Sequence, residues 1–208
     1  MTGEHEHEHE HEHEHEHEHE HDDDPRALRA EALEAMLIER GLVDPARIDR
    51  VLDYFEHQLG PQHGARLVAR AWTDPEFRQT LLSDGTGAMK AMGLGGPEVD
   101  HLVVVENTDC THNVVVCTLC SCYPWGLLGL PPAWYKSLAY RSRVVREPRV
   151  VLAELGCVVA DDIDINVWDS SAEVRYLVLP QRPAGSEHLD VEALAQLVGR
   201  DHMIGVAR

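Results

Sequence analysis

The first 24 residues of this chain cannot supply a hydrophobic core. Glutamate and histidine alternate without a break from Glu4 to His21, three aspartates follow, and no apolar side chain occurs after Met1. Because apolar burial is the main favourable term in folding, this composition predicts a disordered tail at residues 1–24. The rest of the 208 residues is enough for one domain with an appended arm.

The same tail dominates the charge of the chain. Residues 1–24 hold 12 of the 37 acidic residues and no Lys or Arg, so 25 acids and 18 bases remain elsewhere, a net charge of −7 rather than −19. This balance offers no concentration of Lys and Arg for phosphates, and we expect no nucleic-acid partner. No apolar run approaches the length of a membrane span, so we expect no membrane partner. The tail lacks the basic start and apolar middle of a secretory signal, and we expect a cytoplasmic protein.

Two interpretations of the His-Glu repeat stay open. Neutral imidazole and carboxylate both bind divalent metals, so nine histidines at alternate positions are able to collect metal ions, and acidification would weaken that binding. The repeat is more simply explained as a purification tag or a functionally silent low-complexity extension.

Periodicity and turn residues after the tail predict an α+β fold. A helical arm over residues 25–60 is expected to pack on a partner subunit, because two short helices bury little on their own. Residues 61–208 are expected to form a layered α/β globular domain with a small sheet. Predicted helices span residues 25–40, 44–59, 64–72, 74–82, 88–92, 133–145, 148–155 and 190–198, and predicted strands span residues 101–106, 113–116, 163–168 and 173–179.

Three of the five cysteines lie within six residues, in the segment Cys117-Thr118-Leu119-Cys120-Ser121-Cys122, here called the cysteine loop. It lies between a predicted strand and a predicted helix. Cys110 and Cys157 are isolated, so the spacing does not favour a zinc site with four cysteines. A Cys-x-x-Cys redox pair would leave the third thiol without a role. Three thiols on one tight loop therefore predict a single metal ion.

The spacing of Cys120 and Cys122 also involves the backbone. Only Ser121 separates them, so binding both sulfurs draws the peptide nitrogens of Ser121 and Cys122 toward the same ion. Those nitrogens bind only after losing their protons, which requires a strongly polarising ion. Two thiolates and two nitrogens would form a plane, with Cys117 on one side and an open position for substrate on the other.

Residues 114–125, VVVCTLCSCYPW, resemble the metal-binding segment of the nitrile hydratase α subunit. The resemblance spans about residues 26–207 and implies that residues 61–208 are the metal-binding catalytic domain of an enzyme that hydrates nitriles to amides. The other similar segments are residues 41–43, 64–72, 129–136, 140–145, 167–173, 175–180, 182–185 and 203–206.

The resemblance implies one non-corrin cobalt(III) or non-haem iron(III) ion per chain. Thr118 and Tyr123 match the cobalt members, whereas iron members tend to carry Ser and Thr, so cobalt(III) is favoured. By position, Cys117, Cys120 and Cys122 supply sulfur ligands, while Ser121 and Cys122 supply backbone nitrogens. The family oxidises the residues matching Cys120 and Cys122 to cysteine sulfinic acid and cysteine sulfenic acid.

The implied chemistry gives catalytic roles to Cys122 and Ser121. The metal polarises the nitrile carbon, and a sulfenate oxygen on Cys122, or water activated by it, attacks that carbon or accepts a proton. Sequence leaves open which oxygen attacks. The Ser121 hydroxyl would hydrogen-bond the oxidised sulfur or a group of a partner. The residues expected beside the metal site are Thr118, Tyr123, Trp125, Asp169 and Arg175, although core packing explains Trp125 equally well and a strand-capping turn explains Asp169 and Arg175.

The resemblance also implies a partner subunit. In the family a β subunit supplies arginines to the oxidised cysteines, and the cysteine loop contains none, so we expect a heterodimer or heterotetramer acting on a small nitrile. A basic stretch follows the loop and is expected on a solvated or subunit-facing surface. Its members are Arg141, Arg143, Arg146 and Arg149.

Two other functions remain open at this point. A thiocyanate hydrolase subunit uses a similar cobalt loop on another triple-bonded C–N substrate, although Trp125 after Pro124 favours the nitrile enzyme. A non-catalytic metal-binding protein would never oxidise its cysteines and would use the His-Glu tail as its main reservoir.

Isolated cysteines and histidines elsewhere are interpreted as structural. Cys110 and Cys157 are predicted to be small buried hydrophobes. His101 and His112 border predicted strands and are predicted to be surface or hydrogen-bonded core histidines rather than ligands.

Overall fold

Helices precede, separate and follow the strands, which confirms the predicted α+β class. The computed structural model describes residues 25–54, 60–94 and 101–208. The predicted disordered tail and the predicted helical residues 55–59 lie outside them. The elements are α1 (Pro25–Glu39), α2 (Pro45–Asp53), α3 (Pro61–Thr73), α4 (Pro75–Ser83), α5 (Gly85–Ala91), β1 (His101–Glu106), β2 (Thr111–Val116), α6 (Trp125–Leu128), α7 (Ala133–Lys136), α8 (Leu138–Arg143), α9 (Pro148–Glu154), β3 (Asp164–Asp169), β4 (Val174–Leu179), α10 (Val191–Ala195) and α11 (Arg200–Ile204).

The chain divides into two units, the first ending at Ile48 and the second spanning Asp49–Arg208. In the first unit, Leu28, Leu33 and Met36 of α1 are each about half exposed. The second unit holds α3–α11 and the four strands. Among the described residues, no helix combines the length and the apolar character needed to cross a bilayer.

The four strands pair as two parallel ladders, β1 with β4 and β2 with β3. The sequence predicts one small sheet, whereas the structure has two ladders of two strands each. The β-branched runs indicate where strands lie, but they carry no information on which strands pair. Parallel pairing needs a long connection, and helices α6–α9 lie in the one between β2 and β3. The β2–β3 register pairs Val116 with Asp169, so the residues that follow both strands emerge at the same end.

Strand β2 is the firmest anchor for the cysteine loop. All its residues except Thr111 are buried, as expected for a β-branched strand of a parallel ladder. Burying a valine side chain stabilises the fold by about 1.5–3 kcal/mol, and residues 114–116 are three such valines in succession. The cysteine loop therefore starts from a fixed point in the core.

The single helix predicted over residues 133–145 is wrong, because the chain breaks at Ser137 into α7 and α8. Ser137 is extended, with φ −65° and ψ 141°, and its side chain accepts the backbone N–H of Tyr140 at 3.1 Å. A serine that caps the next turn in this way competes with helix continuation. The break sets the direction of α8, which contacts the cysteine loop.

A buried polar network lies beneath the start of β2. The His112 ring is 3% exposed, its Nε2 donates to the Gly205 carbonyl at 2.8 Å, and its Nδ1 accepts from the Asn107 amide at 3.4 Å. The Asn107 side chain in turn accepts the Asn113 backbone N–H at 2.7 Å. Both ring nitrogens are therefore satisfied only when the imidazole is neutral, which confirms His112 as a hydrogen-bonded core histidine.

We expect the free energy of unfolding to fall as the pH drops below about 6.5, the ordinary pKa of histidine. Burial lowers the pKa of His112, and the charge of Arg208 lowers it further. The unfolded chain then binds a proton before the folded chain does, so stability is complete above the unfolded pKa and is lost with acidification. One such group gives a slope of at most about 1.4 kcal/mol per pH unit. Urea unfolding of the full chain at pH 7.5 and 5.5 measures it.

The matched variants are His112→Gln and His101→Gln, since His101 is exposed at the start of β1. His112→Gln should flatten the pH dependence, whereas His101→Gln should leave it unchanged. Equal slopes in the two variants would contradict the role given to His112.

Candidate metal centre

The three clustered cysteines meet in space. Cys117, Cys120 and Cys122 follow β2, and their Sγ atoms all lie within 4.8 Å of one another. The Sγ–Sγ distances are 3.3 Å for Cys117–Cys120 and 3.0 Å for Cys120–Cys122. Across residues 25–54, 60–94 and 101–208 they form the one group of three or more side chains able to hold a metal. The structure thus brings together the thiols that the sequence predicts to share an ion.

The three thiols differ in exposure and in proton affinity. Cys117 is buried, Cys122 is half-buried and Cys120 is exposed. Burial raises the pKa of Cys122 to about 12, whereas the hydrogen bond from the Cys122 thiol lowers the pKa of Cys120. The backbone N–H of Cys120 donates to the Cys117 sulfur at 3.3 Å. Cys122 therefore keeps its proton when the thiols are alone, and a cation is needed to bind all three as thiolates.

Asp169 holds the start of the cysteine loop from the end of β3. One carboxylate oxygen accepts the backbone N–H of Thr118 at 2.9 Å, and the other accepts the Thr118 hydroxyl at 2.6 Å. The β2–β3 register makes this contact, since Val116 and Asp169 are paired residues. Thr118 and Asp169 therefore lie beside the thiols, where the sequence predicts them.

Three side chains that the sequence did not assign to the metal site hold backbone carbonyls of the loop and of β2. The Tyr135 hydroxyl donates to the Cys122 carbonyl at 3.0 Å, and the Tyr140 hydroxyl donates to the Val115 carbonyl at 2.7 Å. Arg141 donates from Nη1 to the Cys120 carbonyl at 3.1 Å. A buried tyrosine hydroxyl needs a hydrogen-bond partner, so sequence alone could have predicted that these tyrosines bind some acceptor. The sequence does not say which carbonyl that acceptor is.

Two arginines of this chain approach the loop. The charge of Arg175 lowers the pKa of Cys122, and its Nη1 donates to the Ser171 carbonyl. Among the described residues, two side-chain nitrogen atoms are buried without a hydrogen-bond partner, and they are the Nε atoms of Arg141 and Arg175. Arg141 is half-buried, so it is not fully solvated, and a subunit-facing position for it stays a prediction. Arg149 is half-buried too, and its guanidinium donates to the carbonyls of Val159, Ala160 and Ile163.

Ser121 and Trp125 line a cavity of about 500 Å³ next to the cysteines. Leu130, Pro131 and Pro132 give it apolar walls, and Lys136 and Arg200 bring two cations to it. Another cavity, of about 420 Å³, is lined by the Arg78–Glu106 ion pair and by no residue of the cysteine loop, whereas Ser121 belongs to that loop. The cavity at Ser121 is therefore the one suited to a small substrate of this site.

Tyr123 directly follows the cysteine loop and stabilises the segment that leads from the loop into α6. Its ring is buried against Tyr135, with ring centroids 5.3 Å apart, and its hydroxyl donates to the Leu128 carbonyl at 3.2 Å. Burial raises the pKa of this phenol well above its ordinary value. Its neutral hydroxyl fixes the turn that leads into α6.

The two isolated cysteines behave differently from each other. Cys157 is buried, as predicted, with its sulfur 4.0 Å from His112 Nε2. Cys110 is exposed, so its predicted burial is wrong. It lies in the turn between β1 and β2, where its thiol contacts the Thr108 and Thr111 hydroxyls, and residue type alone does not indicate this turn position.

Comparison with known proteins gives concordant results. The family model for "Nitrile hydratase, alpha chain" matches residues 24–207. The chain is 57% identical over 181 residues to the low-molecular weight cobalt-containing nitrile hydratase subunit alpha of Rhodococcus rhodochrous, covering 87% of each chain. It is 43% identical to the thiocyanate hydrolase subunit gamma of Thiobacillus thioparus, covering 85% of this chain and 76% of that one.

A solved structure extends the similarity to the fold. A double mutant of the Fe-type nitrile hydratase from Comamonas testosteroni Ni1 is similar with a TM-score of 0.80 and 44% identity, over 89% of this chain and 91% of that chain.

Proposed function

The chain belongs to the nitrile hydratase alpha-chain family, and on this basis we propose that it is the catalytic α subunit of a cobalt-containing nitrile hydratase. The observation that carries the proposal is the convergence of the Cys117, Cys120 and Cys122 sulfurs within 4.8 Å. The relative from Rhodococcus rhodochrous, at 57% identity, is named as cobalt-containing. This relative, together with Thr118 and Tyr123, which match the cobalt members, favours cobalt(III), one ion per chain, over iron(III).

The residues present fit such an ion. Three thiolates are soft anionic ligands of the kind that bind transition metals, and their summed charge needs compensation. Arg141 and Arg175 supply it from this chain, because each holds a buried Nε without a partner and Arg175 acts electrostatically on Cys122. Buried cationic donors of this kind are costly unless a negative group accepts them.

We assign the ligands by chemistry. The sulfurs of Cys117, Cys120 and Cys122 and the backbone nitrogens of Ser121 and Cys122 would hold the ion. When bound, cobalt(III) supplies a Lewis acid that polarises the nitrile. Proton acceptance, substrate positioning and charge compensation would come from side chains of this chain and of a partner subunit.

The exposure of the thiols supports oxidation at two of them. Oxidation of a thiol requires access, and Cys120 and Cys122 have it, whereas Cys117 is only 1% exposed. The sulfinic acid at Cys120 and the sulfenic acid at Cys122 are therefore the states we propose. An oxygen on Cys122 would accept the proton from the attacking water.

Ser121 and Trp125 would prepare the substrate. The Ser121 side chain lines the cavity and is placed to hydrogen-bond the reacting oxygen or an oxidised sulfur. Trp125, with Pro131 and Pro132, would exclude bulk water around a small apolar nitrile. Thr118 and Asp169 act on the loop itself through their mutual hydrogen bonds.

A β subunit is the proposed partner. Arg141 donates to the Cys120 carbonyl and Arg175 to the Ser171 carbonyl, so the three oxygens on the oxidised sulfurs would still need donors, and arginines from the partner would supply them. The apolar side chains that α1 exposes are suited to a partner surface. The proposed enzyme is accordingly a heterodimer or heterotetramer, with residues 25–60 as an arm on the partner.

The complex reconstituted with a β subunit and cobalt is expected to convert acrylonitrile to acrylamide. Active material should carry one cobalt per cysteine loop and three added oxygen atoms on the peptide with residues 117–122, two on a sulfinic and one on a sulfenic acid. Gas chromatography measures turnover, and peptide mass spectrometry counts the oxygens. Cobalt is counted on a chain beginning at Asp22, so that the histidines of the tail cannot contribute to the count.

The alternatives give different results. Turnover of thiocyanate alone would identify a thiocyanate hydrolase subunit. Cobalt held by the tail, with no turnover of either substrate, would identify a metal-binding protein. Bare thiols in fully active material would contradict the oxidised loop while leaving the nitrile activity in place.

A further inference from the structure

Two adjacent residues of α8 hold the chain at two points around the cysteine loop. Tyr140 donates its hydroxyl to the Val115 carbonyl in β2 at 2.7 Å, and Arg141 donates Nη1 to the Cys120 carbonyl at 3.1 Å. The helix begins at a defined cap, where Ser137 accepts the Tyr140 backbone N–H. The Arg141 guanidinium is therefore placed by a helix fixed to the core strand, independently of the loop.

The carbonyl that Arg141 contacts belongs to a special peptide. The Cys120 carbonyl and the Ser121 nitrogen form one peptide group, and that nitrogen is among the proposed ligands. When a peptide nitrogen binds a metal ion its proton leaves to solvent, and the resulting negative charge is shared between the nitrogen and the carbonyl oxygen. A cationic donor at that oxygen stabilises the charged form more than the neutral one, because charge-assisted hydrogen bonds are about twice as strong as neutral ones.

We propose that Arg141 is a positioning residue of the metal centre, which stabilises the Ser121 nitrogen as a ligand through its hydrogen bond to the Cys120 carbonyl. The inference rests on the proposed function, because it requires a metal ion on the cysteine loop. The Arg141 Nε is buried and has no hydrogen-bond partner among the described residues, so the Nη1 bond to the Cys120 carbonyl is the contact on which the inference depends.

The neighbouring arginines do not duplicate this contact. Arg146 is exposed and donates Nε to the Ser142 carbonyl at 3.0 Å, outside the loop. Arg143 forms ion pairs with Glu147 and Glu154, at 2.6 and 2.7 Å. Arg146 therefore provides a matched control, since it also donates to a backbone carbonyl but not to one of the cysteine loop.

The test compares Arg141→Met, Arg141→Gln and Arg141→Lys with Arg146→Met in the cobalt-loaded complex with the β subunit. We expect Arg141→Met to lose cobalt to a chelator roughly 10-fold faster or more, the effect of losing one hydrogen bond to a charged group. Its cobalt–thiolate absorption band should also shift, because one nitrogen ligand is weakened. Arg146→Met should keep the wild-type rate and band. All variants are made in the chain beginning at Asp22, so the histidines of the tail do not affect the comparison.

Charge and donor are separated by the conservative variants. Arg141→Lys keeps the positive charge and should lose cobalt more slowly than Arg141→Gln. If Arg141→Met does not assemble with the β subunit, this comparison tests the inference instead. Equal rates and bands for Lys, Gln and the wild type would overturn the inference, as would an Arg141→Met complex matching Arg146→Met. A wild-type complex with no cobalt on the loop would overturn the proposed function and this inference together, whereas an active wild type with unchanged Arg141 variants overturns the inference alone.

Discussion

Replacing Cys122 with alanine is expected to reduce nitrile hydration by at least about 100-fold. The substitution removes a sulfur ligand and also the oxygen that would accept a proton from water, and a positioned general base alone contributes about 10²–10⁴-fold. The effect should appear in kcat/KM for acrylonitrile, measured on the complex with the β subunit. Cobalt content and circular dichroism of the same preparations separate loss of chemistry from loss of the metal or of the fold.

The other cysteines supply the controls for this prediction. Cys110→Ala removes an exposed thiol outside the loop, and Cys157→Ala removes a buried one, and both should keep most of the activity. Cys117 is proposed to bind the ion as an unoxidised thiolate and to take no part in proton transfer. Cys117→Ala should therefore lose activity because it loses cobalt. A Cys122→Ala complex with wild-type kcat/KM would falsify the proposed role of Cys122.

Local patterns were sufficient to predict the four strands, most of the helices and the thiol group, but not α6, α11 or the break at Ser137. The β-branched runs around Val114 and Leu177 predict strands, and both of these residues are buried. The Cys-x-x-Cys-x-Cys spacing likewise brings three sulfurs together within one tight loop, without help from distant parts of the chain. In both cases the residues that form the pattern are the same residues that form the predicted strand or thiol group.

Contacts between distant residues were the part that sequence could not supply. Tyr140 and Arg141 reach carbonyls 25 and 21 positions earlier in the chain, across a connection whose path depends on the break at Ser137. A basic residue in a helix gives the same sequence signal whether it faces solvent or a carbonyl of the loop. Cys110 shows the reverse error, because its residue type favours burial and its place in a turn exposes it.

The supports of the loop come from two independent sides. Asp169 approaches from the end of β3 and holds Thr118. On the other side, Tyr135 of α7 holds the Cys122 carbonyl and Arg141 of α8 holds the Cys120 carbonyl. The thiols lie between these two sets of contacts. Since coordination geometry depends on how well ligands are held before the metal binds, losing either side should cost metal affinity as well as activity.

Asp169→Ala should therefore weaken cobalt retention and nitrile hydration by about 10- to 100-fold, the usual effect of losing a partner that orients metal ligands. Both carboxylate oxygens accept from Thr118, so alanine leaves two donors without their acceptor at the start of the loop. Asp169→Asn keeps one accepting oxygen and should be intermediate. Asp164→Ala, at the other end of β3, is the matched control, because its exposed side chain lies away from the loop. Chelator-driven cobalt loss and kcat/KM are measured for all three, and equal values for Asp169→Ala and Asp164→Ala would show that the Thr118 contact does not hold the loop.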